Sequence, residues 1–269
     1  SKIPKIVNKL DNLEPINQED KETLAAFVAL QQLKTTSYRK DYDQMEKEMR
    51  LSVAKMIFSD EERAKSIIQK IRKEKDIPEE KIDIKELTAF VAELRTENIE
   101  IPPERYLQIM LQMAEQTTSL FLQMDWFFLR APQGANFIIS DNPFSLVGPS
   151  MRPSPYSGVG LITPGAEKTM PLSPKICLMM YEKGKRVQKF EVNKKIVRSI
   201  NCRTAAQCDR YAIAKERALL ERIVKITKIN TGKREPQFIV STPFNRIQKS
   251  LKPSPATTPL ISLDKREKS

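Results

Sequence analysis

The sequence predicts an α+β protein: a helical amino-terminal half packed on an antiparallel or mixed sheet with two covering helices. Three observations carry this expectation. Up to Asp125, apolar residues recur at steps of three and four, as on one face of a helix. Beyond it, short aromatic and β-branched runs bounded by Pro, Gly, Asn and Asp take over, as strands do. Seven glycines against eighteen prolines are too few for a many-turned all-β fold.

From Asn17 the segment NQEDKETLAAFVALQQLKTTSYRK opens with acidic residues that suit a helix amino terminus, and sets Leu24, Phe27, Val28 and Leu30 or Gln31 at helical spacing, with a break near Thr35 to Ser37. Ser59 followed by Asp60, Glu61 and Glu62 reads as a capping box that starts a helix to about Lys75. A third helix spans Asp83 to Arg95. Pro102 and Pro103 introduce the longest periodic face, Tyr106, Ile109, Met110, Met113, Thr117, Leu120, Phe121 and Met124, which is expected to be buried throughout.

The strand candidates are WFFLRAP, NFIIS, SLVG, VGLIT, TMPLSPKICLMMYEK, VQKFEV, RYAIA and QFIVS. Asn193 is placed to cap a helix whose inner face is Ile196, Val197, Ile200, Thr204 and Cys208, and Glu216 to Lys228 gives another. Residues 1–124 are thus a helical region, 125–244 an α+β region integrated with it, and 245–269 a flexible basic tail rich in Pro and Ser.

Histidine is absent, which removes a histidine-dependent triad and a His-containing metal site. The three cysteines, Cys177, Cys202 and Cys208, match neither a disulfide framework nor a CxxC pair. No metal and no cofactor is expected. No apolar run reaches the roughly eighteen residues of a membrane span, and the charged segment SKIPKIVNKLDN is no signal peptide, so the expectation is a cytoplasmic protein without membrane contact. SGVGLITPG lacks the GxGxxG spacing and NTGKRE lacks the first glycine and the hydroxyl of a P-loop.

The net charge of +12 is uneven. Lys and Arg against Asp and Glu number 22 to 26 in residues 1–167, 18 to 6 in 168–235, and 6 to 2 in 236–269. The middle segment carries a basic field that attracts phosphate-rich partners. Helical spacing puts Lys194, Arg198 and Asn201 on the outer face of the helix after Asn193, with Lys195 at its edge; together with Arg203 these are candidates for holding phosphates.

In FIISDNPFS the residues Ser140, Asp141 and Asn142 before Pro143 have two readings. Pro143 holds Asn142 extended and the Asp or Asn side chain bonds nearby backbone, making a stable strand exit. Alternatively, Asp141 is a base or orients a polar ligand, with Ser140 and Asn142 beside it as catalytic candidates; no elbow glycine activates Ser140 as a hydrolase nucleophile.

FVALQQLKTTSYR at Phe27 to Arg39, FIISDNPF, MPLSPKICLMM at Met170 to Met180, and VNKKIVRSINCRTAAQCDRYAIAK occur in the order and spacing of a microbial domain-of-unknown-function family, number forty-two thirty-eight, which the chain resembles over residues 15 to 230. The Ser-Asp-Asn-Pro block falls on Ser140 to Pro143 and the Pro-Leu-Ser-Pro block on Pro171 to Pro174. The resemblance adds Lys34, Arg39 and Ser173 as pocket candidates. Family members begin with a His-Tyr-x-Pro block that has no match here, so the chain is expected to be trimmed at its amino terminus. No activity is imported, and whether the protein is an enzyme stays open. The leading expectation is association with nucleic acid, a nucleotide or another phosphate-rich ligand through the basic half; the alternative is a non-enzymatic module for a protein partner.

Overall fold

The computed structural model describes residues 2–75, 83–148 and 159–227. These divide into two compact units, one of residues 1–39 with 109–269 and one of 40–108. The elements in chain order are α1 (Ile3–Asp11), α2 (Gln18–Leu33), α3 (Thr36–Phe58), α4 (Glu61–Lys75), α5 (Ile84–Glu93), a 3-10 turn (Thr96–Asn98), α6 (Pro103–Leu122), β1 (Met124–Arg130), β2 (Ile139–Ser140), β3 (Ser145–Val147), β4 (Glu167–Pro171), β5 (Ile176–Lys183), β6 (Val187–Glu191), α7 (Lys194–Gln207), β7 (Ala212–Ile213) and α8 (Arg217–Thr227). The fold is α+β with its first helices amino-terminal, as the sequence predicts.

In the larger unit a mixed five-stranded sheet runs in the order β3-β4-β5-β1-β6, with β1 antiparallel to β5 and parallel to β6. Strand alternation sends Trp126, Phe128, Met170, Leu178 and Met180 to one face, where they pack with Ile6 and Leu10 of α1, Leu24 and Val28 of α2, and Phe121 of α6. Phe127, Leu129, Cys177 and Met179 go to the other face, against Ile196, Val197 and Ile200 of α7. A third cluster joins Ile138, Cys202, Ala205 and Ile223, so α8 packs beside α7. The Trp126 indole N–H donates to the Phe121 carbonyl at 2.8 Å, which satisfies the one polar atom of a fully buried ring.

Local chemistry explains the helix starts. Asn17 and Asp20 form a reciprocal capping box on α2. The Asn193 side chain accepts from the Lys195 and Ile196 amides of α7. At α4 the cap is Asp60, which accepts from the Arg63 amide at 2.7 Å; Ser59, the expected cap, instead donates to the Met56 carbonyl. In the smaller unit, Glu46 of α3 is buried and accepts from Arg50 at 2.6 Å, with Arg105 at 3.7 Å; Tyr42 stacks at a tilt on Tyr106.

Several expectations are corrected. The segment SKIPKIVNKLDN, for which no element is expected from the sequence, contains a helix, α1, with Ile6 and Leu10 four apart on its buried face. VGLIT is not a strand; residues 159–163 form a turn in which the Gly160 amide donates to Thr163. Of the face expected to be buried throughout, Thr117, Phe121 and Met124 are buried, while Tyr106, Ile109, Met110, Met113 and Leu120 are half-buried; Leu30 of α2 is exposed. QFIVS and the tail at 245–269 lie outside the described residues.

Candidate functional site

The Ser-Asp-Asn-Pro block sits where β2 ends, and β2 pairs antiparallel with β7. Asp141 accepts three backbone amides: Asp209 on Oδ1 at 2.9 Å, and Arg210 and Tyr211 on Oδ2 at 2.7 and 3.3 Å. Its own amide donates to the Tyr211 carbonyl at 3.1 Å. The carboxylate therefore holds the turn after α7, in the manner of an anion in a nest of amides. Ser140 is buried, and its hydroxyl donates to the Thr204 carbonyl at 3.4 Å. Pro143 and Phe144 are buried behind the block, Phe144 stacked on Phe121 at 5.7 Å.

Asp209 carries the clamp onward. Its carboxylate accepts from the Ser37 amide at 3.3 Å and from the Ser37 hydroxyl, in the first turn of α3. A negative group there also meets the positive end of the helix dipole. Asp141 and Asp209 thus tie together the exit of β2, the end of α7 and the α2–α3 junction, where Lys34 and Arg39 are both exposed. Ser173 lies in a different setting: its hydroxyl donates to Asp11 at the end of α1 at 3.0 Å and accepts from the Lys175 and Ile176 amides. It is engaged in the β4–β5 turn and not with Asp141.

On α7 the outer face holds Lys194, Lys195 and Arg198, all exposed. Asn201 is not on it: its side chain is buried, accepting from the Ile138 amide at 3.0 Å and donating to the Asn136 carbonyl at 2.9 Å. Arg203 is likewise turned inward, 1% exposed, and its Nη1 donates to Glu167 at 2.8 Å under the sheet. A guanidinium so enclosed is withdrawn from any phosphate in solution. Sequence reasoning missed Glu167, because a lone acidic residue in a strand carries no sign of a basic partner 36 residues away.

The neighbouring Lys168 is also buried; its ammonium donates to the Ala166 carbonyl at 2.9 Å, and burial lowers it to a pKa of about 8 despite the pull of Glu182. All three cysteines are buried, and burial raises the Cys177 and Cys202 thiols, so these two are not activated. Among the described residues, no three His, Cys, Asp or Glu side chains gather as metal ligands, and no helix is long and apolar enough to cross a membrane.

Residues 1–218 match the model of a family described as Protein of unknown function (DUF4238). No curated protein and no solved structure matches the chain.

Proposed function

The chain therefore belongs to the DUF4238 family, and on that premise we propose that it associates with nucleic acid or nucleotides, gripping phosphate through the outer face of α7. The observation that carries the reading is the pairing of three exposed cations, Lys194, Lys195 and Arg198, with a helix whose opposite face is anchored by Ile196, Val197 and Ile200 on the sheet. A fixed helix presents its charges from a backbone already ordered, so only side-chain freedom is lost on meeting a phosphate backbone. Residues 168–227 hold fifteen Lys and Arg against five Asp and Glu, so the surrounding field has the same sign.

The Asp141 clamp has a place in this reading. It fixes the 209–211 turn, from which Arg210 and Tyr211 project, the tyrosine 65% exposed. An exposed aromatic ring beside an arginine is a stacking platform for an unpaired base. Single-stranded nucleic acid is accordingly the favoured ligand. Asp141 then acts as the support of that turn, and Ser140 ties the end of β2 to α7.

The test is binding of labelled single- and double-stranded oligonucleotides across a range of salt. Affinity is expected to fall as salt rises. Replacing Lys194, Lys195 and Arg198 together by alanine should reduce the slope of log K against log salt by about two to three. Affinity indifferent to salt, or an unchanged slope in the triple variant, would remove the phosphate-gripping role.

A further inference from the structure

A cleft of about 570 Å³ lies beside the carboxy-terminal end of α1, bounded by the ends of β1 and β6. Its size is that of a small-molecule site. The floor is apolar and buried: Leu10, Phe128 and Ile176. Around it stand three cations, Arg130, Lys175 and Lys189, against the carboxylate of Glu191 and that of Glu14, whose charge reaches Lys189. Lys175 is steered by donating to the Ala135 carbonyl at 2.8 Å, and Lys189 by donating to the Glu14 carbonyl. Each ammonium has three N–H groups, so the cleft retains donors beyond those that fix its lysines. Burial lowers Lys189 from the usual ammonium value, only partly offset by Glu14, which marks it as a charge held in a partly dry place.

Leu13 also lies on the cleft wall. Helix α1 ends in a Schellman turn, the Glu14 amide donating to the Lys9 carbonyl at 2.8 Å and the Leu13 amide to the Leu10 carbonyl at 3.1 Å. Leu13 takes the left-handed position with φ of 63°, where glycine is the usual residue. Its side chain, 58% exposed, is not covered by the core. A strained backbone that displays an apolar side chain at the mouth of a cationic cleft is accounted for if a ligand covers it.

We infer that this cleft binds a small amphipathic anion: a carboxylate or phosphate head held by Arg130, Lys175 and Lys189, and an apolar body lying on Phe128 and Ile176 beneath Leu13. The site is distinct from the α7 surface and does not depend on it.

The experiment titrates the whole chain with decanoate, decyl phosphate, decanol and inorganic phosphate. It is read by calorimetry and by the fluorescence of Trp126, the chain's one tryptophan, whose ring lies 6.1 Å from that of Phe128. Both amphipathic anions should bind, the tighter one identifying the head group, and decanol and inorganic phosphate should bind at least about tenfold more weakly, the scale of one lost charge-assisted hydrogen bond. Arg130→Gln should weaken both anions. So should Leu13→Gly, a variant that relieves the left-handed backbone and so remains folded. The variant lacking Lys194, Lys195 and Arg198 should bind them unchanged, which separates this site from the nucleic-acid surface. No anion binding, equal binding of decanol or phosphate, or affinity unaltered in both Arg130→Gln and Leu13→Gly would overturn the inference.

Discussion

At Asp141 both carboxylate oxygens are occupied by amides of residues 209 to 211, and at Arg203 the guanidinium is shut against Glu167 beneath α7. The sequence marks both as polar and leaves their roles open, because a strand-exit aspartate and a helix arginine look alike whether they serve a ligand or the fold. Burial decides the second. Removing Arg203 takes the 2.8 Å interior ion pair from Glu167, which is 0% exposed, so Arg203→Ala should cost about 3–5 kcal/mol in denaturant unfolding. Replacing the pair by Arg203→Met with Glu167→Leu should recover most of that loss. Asp125 is a gentler case. Hydrogen bonds from the Arg186 guanidinium, at 2.6 and 2.9 Å, hold its carboxyl below the ordinary aspartate value, although burial opposes them. The pair therefore adds stability above the unfolded-state pKa, about 3.9, and that share is lost as pH falls through the lower folded-state value. Asp125→Asn should flatten the acid limb of a stability-against-pH curve while changing nothing near neutrality except a constant offset. Gly184 belongs to the same node: a Cβ there would stand 2.0 Å from the Asp125 Oδ1.

At the scale of elements, capping chemistry and spacing account for α2 and α7 almost to the residue, since Asn17 and Asn193 announce their own helix starts. Where a segment's pattern is short, it misleads. α1 has only nine residues, and VGLIT has the apolar character of a strand but no partner in the sheet. The terminus of α1 yields a prediction independent of any ligand. A leucine in the left-handed region costs about 1–2 kcal/mol, and glycine's extra freedom in the unfolded chain returns part of that advantage. Leu13→Gly should therefore raise the free energy of unfolding, and so the stability, by up to about 1 kcal/mol, measured by chemical denaturation. A loss of stability would mean that the side chain packs more than its exposure indicates.

For the whole molecule, the distribution of buried side chains sets where it should open first. In the larger unit two clusters bury the two faces of the sheet and a third packs α8 beside α7. In the unit of residues 40–108 the described buried residues are Glu46, Ala64 and Val91. Native-state hydrogen exchange should show the slowest amides in β1, β5, α2 and α7, and much faster exchange in α4 and α5. Uniform protection across both units would contradict this.

The sequence by itself determined the α+β class, the position of most helices, the four recognisable blocks and the excess of cations after residue 168. Local propensity, capping and charge are properties of neighbours along the chain, and they are written there. Only the tertiary structure decided which polar residues face solvent. Asn201 and Arg203 share a helix with Lys194 and Arg198, yet the first two are turned inward because the segment of Asn136 and Ile138, and Glu167 of β4, lie beneath α7. The cationic cleft was equally illegible, since Leu13, Arg130, Lys175 and Lys189 are far apart in sequence and meet only when β6 aligns parallel to β1 beside the end of α1.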